Sequence, residues 1–192
     1  MNEKLNRIEI IRAMLDPESV KEGTPAYDVD KAFQQWVYEK ASILIERYKQ
    51  RHLETTWTEN LLKNMRIGMS AQLAFQHLLE YMKIPHDADD PSEPAKDYDF
   101  KLHNITTIEC KGYDHYCEVA DVKKWKGNDF LVVWQFTNKE GMRIIFKGWL
   151  NKKEVEKYPI TPKGKSKYTP YGEAIVIPLT NLHPPKTAKF LT

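Results

Sequence analysis

The sequence predicts an α/β protein, because a long helical pattern is followed by a polar hairpin and then by two apolar strands. Residues 59–83 carry apolar side chains at helical spacing. Residues 98–102 and 105–111 read as strands separated by a two-residue turn, which is typical of an antiparallel hairpin. Residues 128–136 and 142–150 are apolar runs separated by a turn-rich loop, and they predict a buried hairpin.

The first hairpin carries the most chemically informative residues of the chain. Side chains two positions apart on a strand project from the same face, so Glu109 and Lys111 share one surface while Cys110 faces the core. The antiparallel return of the chain brings Glu109 into the neighbourhood of Asp97 or Asp99. Two carboxylates and one ammonium group are therefore expected to converge.

Such a cluster is suited to phosphodiester chemistry. Two neighbouring carboxylates repel each other, and a hard divalent cation such as Mg²⁺ relieves that repulsion because it prefers oxygen ligands. The cation polarises a phosphate and activates water, and a nearby lysine orients that water or neutralises charge in the transition state. As plain surface groups, the same residues would form only a weak ion pair on a solvated hairpin.

The motif resembles that of the PD-(D/E)xK nuclease superfamily, with Asp99 as the lone acid and Glu109-Cys110-Lys111 as the E-x-K. The resemblance covers residues 64–150 and implies a restriction-endonuclease-like core, in which helices flank a central mixed sheet. It also implies that Asp99, Glu109 and the backbone carbonyl of Cys110 hold Mg²⁺, with Mn²⁺ as a substitute. Lys111 would position the attacking water, and Asp97 is the reserve acid.

The helix before the motif also resembles its counterpart in the superfamily. Gly68 fits the family pattern, but Gln72 occupies the position where Glu is usual. Gln72 can still ligate through its carbonyl oxygen or hydrogen-bond to a metal water, so it is assigned to the catalytic set. Because it brings no charge, the site is expected to hold its cation less strongly.

We expect a single domain across residues 1–192. A helical N-terminal extension covers residues 1–58, the nuclease-like core covers 59–150, and a basic loop, a last strand and a tail cover 151–192. Within these parts, residues 85–94 are expected to form an acidic loop and residues 174–178 the last strand. The tail is expected to be an arm that packs on a neighbouring molecule.

Charge is distributed unevenly along the chain. Residues 1–100 contain 13 Lys and Arg against 18 Asp and Glu, whereas residues 101–192 contain 16 against 9. Lysines near tyrosines in the basic half could contact phosphates while the rings stack on bases, although such a surface is often only solvated. The candidate DNA-binding lysines are Lys123, Lys124, Lys126, Lys163, Lys165 and Lys167.

Several other classes of protein are disfavoured. Charged residues interrupt the apolar positions of residues 1–15, and no apolar run approaches the length of a membrane span, so we expect a cytoplasmic protein without a membrane partner. Cys110, His115 and Cys117 lack the spacing of a zinc site. Serine-hydrolase, nucleotide-binding and zinc-protease motifs are absent from the sequence.

The sequence therefore predicts a Mg²⁺-dependent deoxyribonuclease, and we favour an endonuclease over an exonuclease. The resemblance is compatible with a homodimer in which two sites meet two strands. Two alternatives stay open. The first is a catalytically inactive nucleic-acid-binding or scaffold protein with a nuclease-like fold, which Gln72 favours. The second is an unrelated α+β domain without phosphate chemistry.

Overall fold

The computed structural model describes residues 27–28, 59–89, 96–123, 125–136, 143–169 and 172–191. The predicted helices of the N-terminal extension, the candidate DNA-binding Lys124 and the loop between the second pair of strands lie outside the described residues. No helix among the described residues is both long enough and apolar enough to cross a membrane.

The described chain contains two α-helices, nine strands and three short 3₁₀ turns. Their bounds are β1 (Tyr27–Asp28), α1 (Glu59–Met82), β2 (His86–Ala88), β3 (Phe100–Leu102), β4 (Thr106–Tyr113), β5 (Val119–Val122), β6 (Phe130–Phe136), β7 (Arg143–Asn151), α2 (Lys152–Val155), β8 (Ile160–Thr161), β9 (Ala174–Pro178) and the 3₁₀ turns Leu179–Asn181, Pro185–Thr187 and Lys189–Leu191.

Six of these strands form a mixed sheet in the order β1-β7-β6-β4-β3-β2. The β4–β6 pair is parallel and the other pairs are antiparallel. The remaining strands form a smaller antiparallel sheet in the order β5-β9-β8. The predicted α/β class with a mixed sheet is confirmed, as are the helix at 59–83, both predicted hairpins and the last strand.

Helix α1 covers one face of the large sheet. Its residues Ala71, Ala74, Phe75 and Leu78 recur at helical spacing, and all are at most 1% exposed. The Phe75 ring meets Phe100 of β3 edge-on, with 5.1 Å between the ring centroids. This packing fixes the helix across β3 and β4, the two strands that carry the predicted motif.

The opposite face of the sheet is covered by strands. Leu131 and Val133 of β6 pack with Ala120 of β5 and Ile177 of β9 in a second apolar cluster. Val155 of the short helix α2 belongs to the same cluster. The finer expectation of a restriction-endonuclease-like core, with a sheet flanked by helices, stays a prediction. Strand β5 is short and was not predicted from the sequence.

Two other segments also differ from expectation. Within the predicted acidic loop, His86–Ala88 forms an edge strand against β3, and the Asp87 carboxylate there accepts hydrogen bonds from Lys96 Nζ at 2.8 Å and Tyr98 Oη at 2.7 Å. The C-terminal segment, which was expected to be an arm, packs on its own chain. Leu191 is 3% exposed, and Phe190 stacks on Phe130 at 4.3 Å, because these apolar groups complete the core beside β6.

Candidate active site

The candidate site lies where β3 separates from β4. Phe100 and Ile108 form the last pair of the ladder between these strands. Beyond this pair, the backbone N–H of Cys110 donates a 2.7 Å hydrogen bond to the Asp99 carboxylate, where a backbone carbonyl of β3 would be the partner if the ladder continued. The N–H and C=O of one residue point to the same side of a strand, so the Cys110 carbonyl also faces this open edge.

Glu109 and Lys111 project together from the face of β4 opposite α1, as the period of the strand requires. Lys111 Nζ lies 2.5 Å from Glu109 Oε1. The second carboxylate oxygen, Oε2, accepts a 3.0 Å hydrogen bond from Asn128 Nδ2. Glu109 is only 5% exposed, so these two donors hold its carboxylate in a fixed position.

The two carboxylates influence each other electrostatically. Burial, together with repulsion from Glu109, raises the pKa of Asp99 to about 6. Burial alone would lower the pKa of Lys111, but attraction to Glu109 and Asp99 outweighs it, and the net shift is upward. At neutral pH the cluster therefore contains a charged ammonium and two carboxylates, and the Asp99 carboxylate is unusually easy to protonate.

The donors at this edge suit Mg²⁺. Asp99, Glu109 and the Cys110 carbonyl supply only oxygen atoms, and Mg²⁺ is commonly held by one or two carboxylates together with a substrate phosphate. Among the described residues, no three side chains of the Asp, Glu, His or Cys types lie close enough together to hold a metal ion.

A cleft of about 400 Å³, here called the edge cleft, opens beside the cluster. It reaches from the amino-terminal half of α1 across the free edge of β4 to β5. Its lining includes Gly68, Gln72, Lys111, Gly112, Asp121 and Lys123. Gln72 and Lys111 thus meet at one cavity, whereas Asp99 and Glu109 lie beside it and are not among its lining residues.

The tight contact between α1 and β4 depends on Gly112. A β-carbon at this position would lie 2.4 Å from the carbonyl oxygen of Ile67 and 2.9 Å from the Ala71 side chain. Real side chains do not approach backbone oxygen that closely, so only glycine permits this approach. Because Gln72 follows Ala71 and Lys111 precedes Gly112 in the chain, this close approach also sets the position of Gln72 relative to Lys111.

The other predicted site residues are dispersed. Asp97 is exposed, and Asp99 is the acid held against β4. Lys123 lines the edge cleft with its Nζ 3.8 Å from Asp121, and Lys126 donates a 2.8 Å hydrogen bond to the Lys96 carbonyl. The remaining described lysines of the predicted set, Lys163, Lys165 and Lys167, are exposed in the turn before Thr169.

Two residues of the site were not predicted from the sequence. Asn128 donates a hydrogen bond to Glu109. In the sequence it stands next to Asp129 at the start of an apolar run, and an Asn-Asp pair there indicates only where a strand begins. Asp121 of β5 lines the edge cleft. Burial raises the pKa of its carboxyl group, and this effect outweighs the lowering by the positive charges of Lys123 and Lys111. Its role is visible only once β5 is placed.

Fold and site together define a mixed α/β protein with an acid–lysine cluster at an open strand edge. No protein-family model matches this chain, and no match was found among curated proteins or solved structures.

Proposed function

We propose that this chain is a metal-dependent nuclease that hydrolyses DNA phosphodiester bonds, with a restriction-endonuclease-like core of the PD-(D/E)xK superfamily. The observation that carries the proposal is the placement of the Asp99 carboxylate against Cys110, the residue between the ion-paired Glu109 and Lys111, beside a cleft that contains Lys111 and Gln72. A solvated surface hairpin would not bury Glu109 to 5% exposure or give it two donors.

The residues divide the chemistry between them. Asp99, Glu109 and the Cys110 carbonyl would hold Mg²⁺, which when bound neutralises phosphate charge and makes water more acidic. Lys111 has a raised pKa, so it stays protonated at neutral pH and acts as a donor instead of a base. From its place in the edge cleft, Lys111 can orient the attacking water or stabilise the extra negative charge of the transition state.

The order and direction of the strands also support the proposed core. A helix precedes the hairpin that carries the acid and the E-x-K, and β6 then pairs in parallel with the E-x-K strand β4. The chain departs from the family pattern at two places. Gln72 replaces a glutamate, and between β4 and β6, where the family has a helix, the described residues form strand β5.

The proposal is tested by cleavage of supercoiled plasmid, linear duplex and branched DNA in millimolar MgCl₂. We expect the wild-type chain to cut at least one of these substrates and EDTA to stop the reaction. Lys111→Ala should abolish cleavage while the thermal unfolding transition is retained. Lys147→Ala is the matched control, because Lys147 is an exposed lysine on β7 of the same sheet. Wild-type rates in Lys111→Ala, or cleavage that persists in EDTA, would refute the assignment.

A catalytically inactive nucleic-acid-binding protein is the second candidate. Gln72 favours it because this residue brings no negative charge for a metal ion. Glu109 favours it because its two carboxylate oxygens already have partners in Lys111 and Asn128. Calorimetric titration with Mn²⁺ and Mg²⁺ separates the two candidates. Metal binding that is lost in Glu109→Gln supports the nuclease, whereas no binding at millimolar metal together with retained DNA affinity supports the inactive protein.

A further inference from the structure

A second cleft, here called the tyrosine cleft, continues from the edge cleft. Its volume is about 440 Å³, within the range of small-molecule sites. Tyr116, Cys117 and Asp121 line both clefts, so the two cavities share a wall. The tyrosine cleft is completed by Glu118, Val119, Lys167 and Tyr168.

The aromatic rings of Tyr116 and Tyr168 line this cleft. Tyr116 is 67% exposed although it is a large side chain, and the His115 ring meets it edge-on at 5.2 Å. The Lys167 ammonium lies 4.8 Å from the centre of the Tyr168 ring. Each ring therefore has a neighbour that restrains it, and both contribute to the walls of one cavity.

The charges of the cleft indicate which part of a nucleotide it suits. Lys167 is its one cation among the described lining residues, against the carboxylates of Glu118 and Asp121. A phosphate would be repelled by this balance. An uncharged base would not be repelled, because its face can stack on tyrosine and its amino groups can donate hydrogen bonds to carboxylates.

We propose that the tyrosine cleft binds an unpaired base of the DNA strand whose phosphate lies at Lys111, so that the substrate is single-stranded DNA or DNA with a single-stranded segment. The inference rests on the proposed nuclease function. In a duplex, a base is stacked and paired and cannot offer its face to a protein ring. The shared wall between the clefts lets one strand pass from Lys111 to the tyrosines without leaving the surface.

Base-dependent binding is the direct test. Fluorescence anisotropy at low salt and without Mg²⁺ would compare a short fluorescein-labelled single strand, the same strand with abasic sites, and a blunt duplex of the same sequence. Stacking on one or two rings predicts that the intact strand binds about 5-fold to 100-fold more tightly than the abasic strand. Tyr116→Ala/Tyr168→Ala should remove this difference and leave duplex binding unchanged.

The Tyr116→Phe/Tyr168→Phe variant is the matched control, because it keeps both rings, and it should retain the preference for the intact strand. Thermal unfolding of each variant checks that the fold is kept. Equal affinity of the wild type for intact and abasic strands, or an unchanged preference in the alanine variant, overturns the inference. Cleavage of the same strands in MgCl₂ is measured in parallel. Cleavage without base-dependent binding contradicts only this inference, whereas a lack of cleavage on these strands and on plasmid, linear duplex and branched DNA contradicts the proposed function.

Discussion

The Asp99 carboxylate binds the backbone of Cys110 at the position where the next rung of the β3–β4 ladder would otherwise form. The 2.7 Å hydrogen bond joins a side chain beside the shorter strand to the main chain of the longer one. It holds one acid at the open edge, next to the face that carries Glu109. The same hydrogen bond therefore marks the end of the β3–β4 ladder and places Asp99 beside the residue that separates Glu109 from Lys111.

Replacement of Asp99 by asparagine is expected to change the pH dependence of stability. The pKa of Asp99 is about 6 in the folded chain, against 3.8 for an ordinary aspartate. Between these values folded protein keeps a proton that unfolded protein has released. The contribution of Asp99 to stability is therefore fully present below pH 3.8 and is lost as the pH rises through about 6. An asparagine side chain at this position cannot ionise, and its carbonyl oxygen can still accept from the Cys110 N–H.

Asp99→Asn should therefore exceed the wild type in free energy of unfolding by up to about 3 kcal/mol above pH 6, with the difference shrinking towards pH 4. Urea unfolding across this pH range measures the effect. Asp97→Asn, which changes an exposed aspartate nearby, should follow the wild type. Parallel curves for wild type and Asp99→Asn would contradict the electrostatic account.

Mg²⁺ should stabilise the wild-type chain above pH 6 and have little effect where Asp99 is protonated. Binding to the folded state alone raises the free energy of unfolding by about 1–3 kcal/mol when the cation is at about 10 to 100 times its Kd. Thermal unfolding with and without MgCl₂ measures this rise, and Asp99→Asn should reduce it. NaCl at matched ionic strength is the control. An equal shift in NaCl would mean that the effect is only ionic screening.

The close approach of α1 to β4 predicts opposite effects for two Gly→Ala substitutions. Gly112→Ala places a β-carbon 2.4 Å from the Ile67 carbonyl oxygen and should destabilise the fold by about 1–3 kcal/mol. Gly68→Ala adds the same methyl group to α1 with nothing within 4 Å, and it should stabilise by up to about 1 kcal/mol. Chemical denaturation of both variants tests the packing. A neutral Gly112→Ala would show that the helix can move away from the strand.

That Glu109 and Lys111 lie on one face of β4 could be predicted from the sequence, because this feature depends only on the alternation of side chains along a strand. Glu109 and Lys111 are two residues apart, so they share a face whatever covers the sheet. The hairpin turn likewise follows from local sequence and returns Asp99 to the same edge. These features depend on residues that are near one another in the chain.

What covers that face could not be predicted. Strand β5 has four residues and lies in a segment rich in lysine and aromatic residues, so it lacks a strand pattern of its own. It becomes a strand because Ala120 and Val122 are buried against β6 and because β9, more than 50 positions away, pairs with it. Asp121 enters the site only through these contacts, and Asn128 enters it through the parallel pairing of β6 with β4.

Removal of the Asn128 side-chain amide should weaken the fold at Glu109. The amide donates to a carboxylate that is 5% exposed, so Asn128→Ala leaves a buried charged oxygen with one fewer donor. We expect a loss of about 1–3 kcal/mol in the free energy of unfolding. Asn181→Ala is the matched control, since it removes an exposed 2.9 Å hydrogen bond to the Tyr158 hydroxyl and should cost less than about 0.5 kcal/mol. Equal losses in both variants would show that the burial of Glu109 does not increase the free energy lost with its hydrogen bond.

Leu191→Ala tests whether the C-terminal segment belongs to the core. Leu191 is 3% exposed and shares a cluster with Val132 and Trp134 of β6. Truncation of a buried leucine removes apolar area and leaves a cavity, so the free energy of unfolding should fall by about 2–5 kcal/mol. Lys186→Ala, which changes an exposed residue of the preceding 3₁₀ turn, should be nearly neutral. Urea denaturation compares the two, and a neutral Leu191→Ala would mean that the segment does not contribute to the core.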